Sequence, residues 1–98
     1  MNKMITVATA KNGKMREATA AAKAIVEHMN NKFDLKNEVY VQLFGTAGTV
    51  YVIGDMKDLA GIQAVQAKIM ADEGYWALVQ KYADLWDAPP KMTLLQSV

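Results

Sequence analysis

Few side chains in this 98-residue chain are equipped for chemistry, and most of them gather around one stretch, residues 38–55. Tyr40 and Gln42 stand two residues apart, and Tyr51 follows on a second apolar, β-branched run, so strand geometry sends all three to one surface. Two phenols beside an amide can orient a small polar or phenolic substrate in an apolar cavity. Their competing role is contact with a second subunit, where tyrosine is enriched. His28, the only histidine, could act as a lone general base because its ordinary pKa lies near neutrality; a partly exposed helical histidine without a task is the plainer account. Tyr75, Trp76 and Trp86 could roof a pocket for flat ligands, although aromatics at helical spacing ordinarily pack a core.

Other chemistry is harder to build. The chain has no cysteine, so disulfides, thiolate metal sites and cysteine nucleophiles are absent together. One imidazole without cysteines or clustered carboxylates makes no structural metal site, and no metal or cofactor is expected. Gly45-Thr46-Ala47-Gly48 lacks both a following helix and a lysine, which leaves a turn rather than a phosphate loop. Asp55 and Asp58 could form a carboxylate pair, but a cap at a helix start accounts for them without catalysis. Eleven basic and ten acidic residues are scattered along the chain, giving a net charge of +1 and no basic patch for nucleic acid or an anionic membrane. No apolar stretch approaches membrane-spanning length, and Met1-Asn2-Lys3 runs straight into a strand-like segment, so a soluble, unexported, cytoplasmic protein is expected. Seven methionines would suit an adaptable ligand wall or simply fill gaps.

The elements that position these residues follow from periodicity. Met4–Ala10 alternates as a strand and stops at Lys11-Asn12-Gly13. From Lys14, the residues Met15, Ala18, Ala22, Ile25, Val26, Met29 and Phe33 recur at three- and four-residue steps and draw one apolar stripe down a helix. Glu38–Asp55 reads as an antiparallel hairpin; with a loop of two or four residues, Val41 faces Val52, Leu43 faces Val50, Gln42 faces Tyr51, Phe44 faces Thr49 and Tyr40 faces Ile53. Asp58 is placed to cap a second helix with the stripe Leu59, Ile62, Val65, Gln66, Ile69 and Met70. Ala71-Asp72-Glu73-Gly74 interrupts the period and Asp72 offers a second cap, so a helix, a kink and another helix are expected, ended by Pro89-Pro90. Lys91–Val98 closes the chain as a fourth strand.

The order β-α-β-β-α-β in a single domain, 1–98, is the ferredoxin-like α+β split, a four-stranded antiparallel sheet with helices on one face. Those helices cover Val39, Val41, Leu43, Val50 and Val52 and leave the face bearing Tyr40, Gln42, Phe44 and Tyr51 open. An aromatic surface of that extent is expected to meet a second copy, giving a homodimer closed sheet to sheet.

The element order, the Leu43-Phe44-Gly45 to Tyr51-Val52 hairpin, Asp58-Leu59-Ala60 and especially Met70-Ala71-Asp72-Glu73-Gly74-Tyr75-Trp76 resemble the dimeric α/β-barrel superfamily, nearest the NIPSNAP-like and antibiotic-biosynthesis-monooxygenase types. The resemblance implies a sheet-to-sheet dimer with a pocket in each subunit between sheet and helices. Members use it for cofactor-free oxygenation, haem breakdown, isomerisation or no known chemistry. Haem is disfavoured, because the second helical region offers Lys81 and Tyr82 where haem-degrading members place a histidine. Two functions follow: a cofactor-independent monooxygenase acting on a small aromatic or apolar substrate positioned by Tyr40, Gln42, Tyr51, His28 or Trp76, or a non-catalytic dimeric module that binds a small apolar ligand or serves assembly alone.

Overall fold

The computed structural model describes residues 2–45 and 47–98; Thr46, assigned by sequence to the hairpin turn, lies outside them. Strand β1 (Asn2–Thr9) leads into helix α1 (Met15–Phe33), strands β2 (Glu38–Val41) and β3 (Thr49–Met56), helices α2 (Leu59–Met70) and α3 (Glu73–Lys81), a short 3-10 turn (Ala83–Leu85) and strand β4 (Lys91–Gln96). The strands lie in the order β2-β3-β1-β4, every neighbouring pair antiparallel. The expected ferredoxin-like architecture is present in full.

Strand parity divides the sheet cleanly. Val52 pairs with Val39 and Thr6, Val50 with Val41 and Ala8, and Met4 and Thr6 with Leu94 and Met92, all on the face that meets the helices. Ile5, Val7, Tyr40, Tyr51, Ile53 and Leu95 project from the other. That second face carries no helix, as expected.

Helix α1 lies over β2 and β3 through small side chains: Ala18, Ala21, Ala22 and Val26 are buried, so its backbone comes close to the sheet. Its end is fixed by a left-handed Asp34 and by a reciprocal pair in which Asn30 Nδ2 donates to the Asn37 carbonyl and Asn37 N donates to Asn30 Oδ1, both at 3.0 Å. Asn30 thereby acts as a strand-like partner from inside a helix, and β2 starts in a fixed place. Helix α2 buries Ile62 and Ile69 but leaves Leu59 and Met70 exposed, because it stands off β4 and every residue of that strand remains accessible.

Two expectations change. The hairpin register differs by two residues from the sequence expectation: Tyr40 pairs with Tyr51, Val41 with Val50, Val39 with Val52 and Glu38 with Ile53. Strand β2 ends at Val41, and the connection is longer than two or four residues, so Leu43 and Phe44 belong to a loop rather than to a strand. The cause is local. Gln42 Nε2 donates to the Phe44 carbonyl at 2.8 Å, and Gly45 and Gly48 take positive φ values of 102° and 86°, which together stabilise a wide loop in place of a tight turn. Parity survives because the offset is even.

The small residues of α1 give a direct test. Ala21→Leu is expected to destabilise the protein by about 1–3 kcal/mol through overpacking. Ala20→Leu, on the exposed side of the same helix, should change urea stability by less than about 0.5 kcal/mol.

Candidate functional site

The sequence-nominated residues separate into two places on opposite sides of the sheet. Tyr40 and Tyr51 form a cross-strand pair on the open face, with Gln42 beside them. Tyr51 Oη donates to Gln42 Oε1 at 3.1 Å while Gln42 Nε2 holds the Phe44 carbonyl. The amide is therefore engaged at both ends and staples the loop. A Cβ on Gly45 would collide with Gln42 Nε2, so the loop backbone rests directly on that amide. Tyr40 Oη donates to Glu38 Oε2 at 3.1 Å, and Lys3 Nζ binds Asp55 Oδ1 at 2.7 Å on the same face. Asp55 is thus paired with Lys3, while Asp58 caps α2 by accepting from Gly61 N at 2.7 Å. The two carboxylates do not form an acid–base pair.

His28 lies in the helical layer, where a polar junction absent from the sequence expectations organises the interruption between α2 and α3. Asp72 caps α3 by accepting from Tyr75 N at 2.8 Å; the same oxygen, Oδ2, takes a bond from His28 Nε2 at 2.6 Å, and Oδ1 accepts from Lys32 Nζ. Its side chain is only 3% exposed. A carboxylate cannot donate, so the bridging proton belongs to His28 Nε2, and only Nδ1, next to the histidine's own backbone, remains. That geometry makes His28 a clamp on Asp72 rather than an outward-facing base. Gly74 is part of the fit, since a Cβ there would lie 2.8 Å from His28 Cε1. The sequence places His28 and Lys32 four apart on one helix face, but nothing local points them at the acid in the break.

Trp76 is also structural in its polar contact. Its Nε1 donates to the Met70 carbonyl at 2.8 Å, capping the end of α2, and its ring meets Tyr75 edge to face at 5.3 Å and 75°. Burial pushes the Tyr75 phenol pKa up. Trp86 is held as a single antiparallel bridge to Ala10, at the end of β1.

Open grooves of about 590 and 450 Å³ run beside α1, each lined in part by charged side chains, and a more apolar one lies elsewhere. Because α2 stands off β4, an apolar groove of about 400 Å³ opens between them, lined by Met4, Ile62, Met70, Met92 and Leu94, with Gln63 and Gln66 as its polar groups. Of the seven methionines, Met4, Met70 and Met92 line this groove, whereas Met15 and Met29 belong to α1. Among the described residues no three His, Asp or Glu side chains converge as metal ligands, and no helix is long and apolar enough to cross a membrane.

Solved structures share this arrangement across the whole chain. An uncharacterized NIPSNAP domain protein from Burkholderia xenovorans superimposes with a TM-score of 0.86 at 14% identity, covering 100% of this chain and 95% of the other. Protein Atu4242 from Agrobacterium tumefaciens gives 0.85 at 16%, covering 100% and 94%. The fold is that of the NIPSNAP proteins. An antibiotic biosynthesis monooxygenase gives 0.73 at 18% identity, covering 100% and 99%, so this chain also shares that architecture. No family model matches the sequence, and no curated protein does. At these identities the likeness establishes the fold and carries no residue roles.

The buried junction has a pH signature. Lys32 first, His28 second and the Tyr75 amide hold the Asp72 carboxyl well below its ordinary value of 3.8, against the opposing effect of burial. The folded protein then binds that proton less readily than the unfolded chain, so the stabilisation is complete above pH 3.8 and fades as the pH falls below it. Asp72→Asn should lower stability at neutral pH and flatten the acid side of the urea midpoint plotted against pH. An unchanged acid limb would show that Asp72 is not the group responsible.

Proposed function

We propose that this chain is a homodimer, closed through the open faces of its sheets, whose protomers each bind a small apolar or aromatic molecule in the groove between α2 and strands β1 and β4. The observation that carries this reading is the composition of the groove: methionine and aliphatic walls, with two glutamine amides as the only side chains able to orient a polar substituent. Three flexible thioethers suit a ligand with flat or irregular shape. The open face supports the dimer, because Ile5, Val7, Tyr40, Tyr51, Ile53 and Leu95 together make an apolar surface without a helix over it.

Catalysis is a second reading, favoured by the likeness to the antibiotic biosynthesis monooxygenase. The groove side chains supply shape and two amides, so in this reading the electrons that reduce oxygen come from an electron-rich substrate. A phenol would become a quinone, one atom of O2 entering the ring as the second carbonyl oxygen and the other leaving as water. Tyr40, Gln42 and Tyr51 then belong to the dimer contact, and His28 and Trp76 to the scaffold behind the groove.

Thermal shift against phenols, quinones and fatty acids tests binding. A ligand at 100 times its Kd should stabilise the fold by about 2.7 kcal/mol, seen as a raised Tm. Leu94→Glu, which puts a charge in the groove wall without emptying the core, should abolish that shift. If the ligand still protects the variant equally, the site is elsewhere. Oxygen uptake with the best-binding phenol separates the two readings, since a binding module consumes none.

A further inference from the structure

The loop after β2 presents Leu43 and Phe44 to solvent at 83% and 90% exposure, well beyond the 47% of Tyr40 on the neighbouring sheet face. It is nevertheless held in a definite shape. Gln42, projecting from the open face, ties the Phe44 carbonyl to Tyr51, so the loop leans toward the surface through which the proposed dimer closes. Two bulky apolar side chains on a stapled loop are an unfavourable surface for an isolated chain.

The sheet face alone is small for a stable interface. Four strands about 4.8 Å apart, four to eight residues long, cover roughly 400 Å² in projection. A standard interface takes roughly 800 Å² from each partner. An aromatic side chain contributes roughly 150–250 Å² when buried, so Leu43 and Phe44 are of the size needed to make up much of the difference.

The distribution of charge on the face says where they would land. When the strands of the two sheets run aligned, a face-to-face dimer has its two-fold axis either along the strands or across them. Along the strands, Lys3 of one copy lies over the partner's Asp55 and Ile5 over the partner's Ile53, because these residues are register partners on the two central strands. Two Lys3–Asp55 pairs, each already 2.7 Å apart, then close into an alternating ring of four charges. Across the strands, the same pair would face the Thr9 and Thr49 end of the second sheet and the charges would be left without opposite partners. The first axis also sets β2 over the partner's β4, since these are the two edges of the sheet. The loop after β2 then overhangs the Lys91 end of that strand, where Met92 is 54% exposed.

We propose that Leu43 and Phe44 form an arm that packs on the β4 edge of a second copy of this chain at Met92, next to the open side of that copy's groove. The inference rests on the homodimer reading and adds to it the axis, the arm and its landing site.

The chain has no cysteine, so engineered ones report without background. Phe44→Cys and Met92→Cys proteins are prepared separately, mixed, and treated with a short bismaleimide. The expected product is a link between position 44 of one copy and position 92 of the other, located by peptide mass. Preferential 44-to-44 links would bring the two loops together, away from β4, and overturn the proposed landing site. In parallel, Leu43→Ser with Phe44→Ser should weaken dimerisation by about 100-fold by sedimentation, the size of effect that hot-spot apolar residues carry, with the circular dichroism spectrum unchanged. An unaltered dimer in that variant, or no link at all in a dimeric protein, would assign the arm to another kind of partner and overturn the proposal. A wild-type chain that is monomeric by light scattering would overturn the dimer reading itself, and the arm with it.

Discussion

A sheet apolar on both faces, in a chain with helices enough for only one of them, is the constraint from which the rest of this molecule follows. Alternation along β1 and β3 sends Thr6, Ala8, Val50 and Val52 toward the helices and Ile5, Val7, Tyr51 and Ile53 away from them. Neither set belongs in water. The first is covered within the chain, tightly where α1 presents alanines and loosely where α2 stands off β4. The loose corner is where the groove opens, and the uncovered face is the one through which the proposed dimer would close. Both features are consequences of distributing one layer of helices over a four-stranded sheet.

The polar groups serve that distribution. Asp72 draws bonds from α1 through His28 and Lys32 and caps α3 at the same time, so a single buried carboxylate sets the angle between three helices. Asn30 fixes the start of β2, and Gln42 fixes the loop after it. Each is a short polar side chain whose donors or acceptors are taken up by backbone or by a neighbouring polar group, which is how buried or half-buried polar atoms ordinarily persist.

Much of the fold was legible because it depends on period. Apolar steps of three and four placed α1 and the interrupted α2–α3 pair, the two aspartates capped their helices as expected, and strand parity put Tyr51 on the uncovered face. Register was less legible: the hairpin pattern Val-Tyr-Val-Gln against Val-Tyr-Val fits equally well at an offset of two, and a glutamine bonding two residues ahead decided the outcome. Proximity across the chain was not legible at all. Nothing in the local pattern brings His28 to Asp72, 44 positions later, and the groove depends on Met4 and Met92, which lie on different strands and meet only through sheet order. A pattern shows which way a side chain points; which side chains meet is settled by topology.

The anchoring of Asp72 also bears on how the wall of the groove is held. The C-terminal end of α2 is tied down on two sides, by Trp76 to the Met70 carbonyl and through Asp72 to α1. The opposite end begins at an exposed cap, with Leu59 and Ala60 in solvent. The two ends of α2 are therefore held differently, its Met70 end by polar bonds to α3 and α1 and its first turn by the burial of Ile62, so the wall of the groove is polar-anchored at one end and packed at the other.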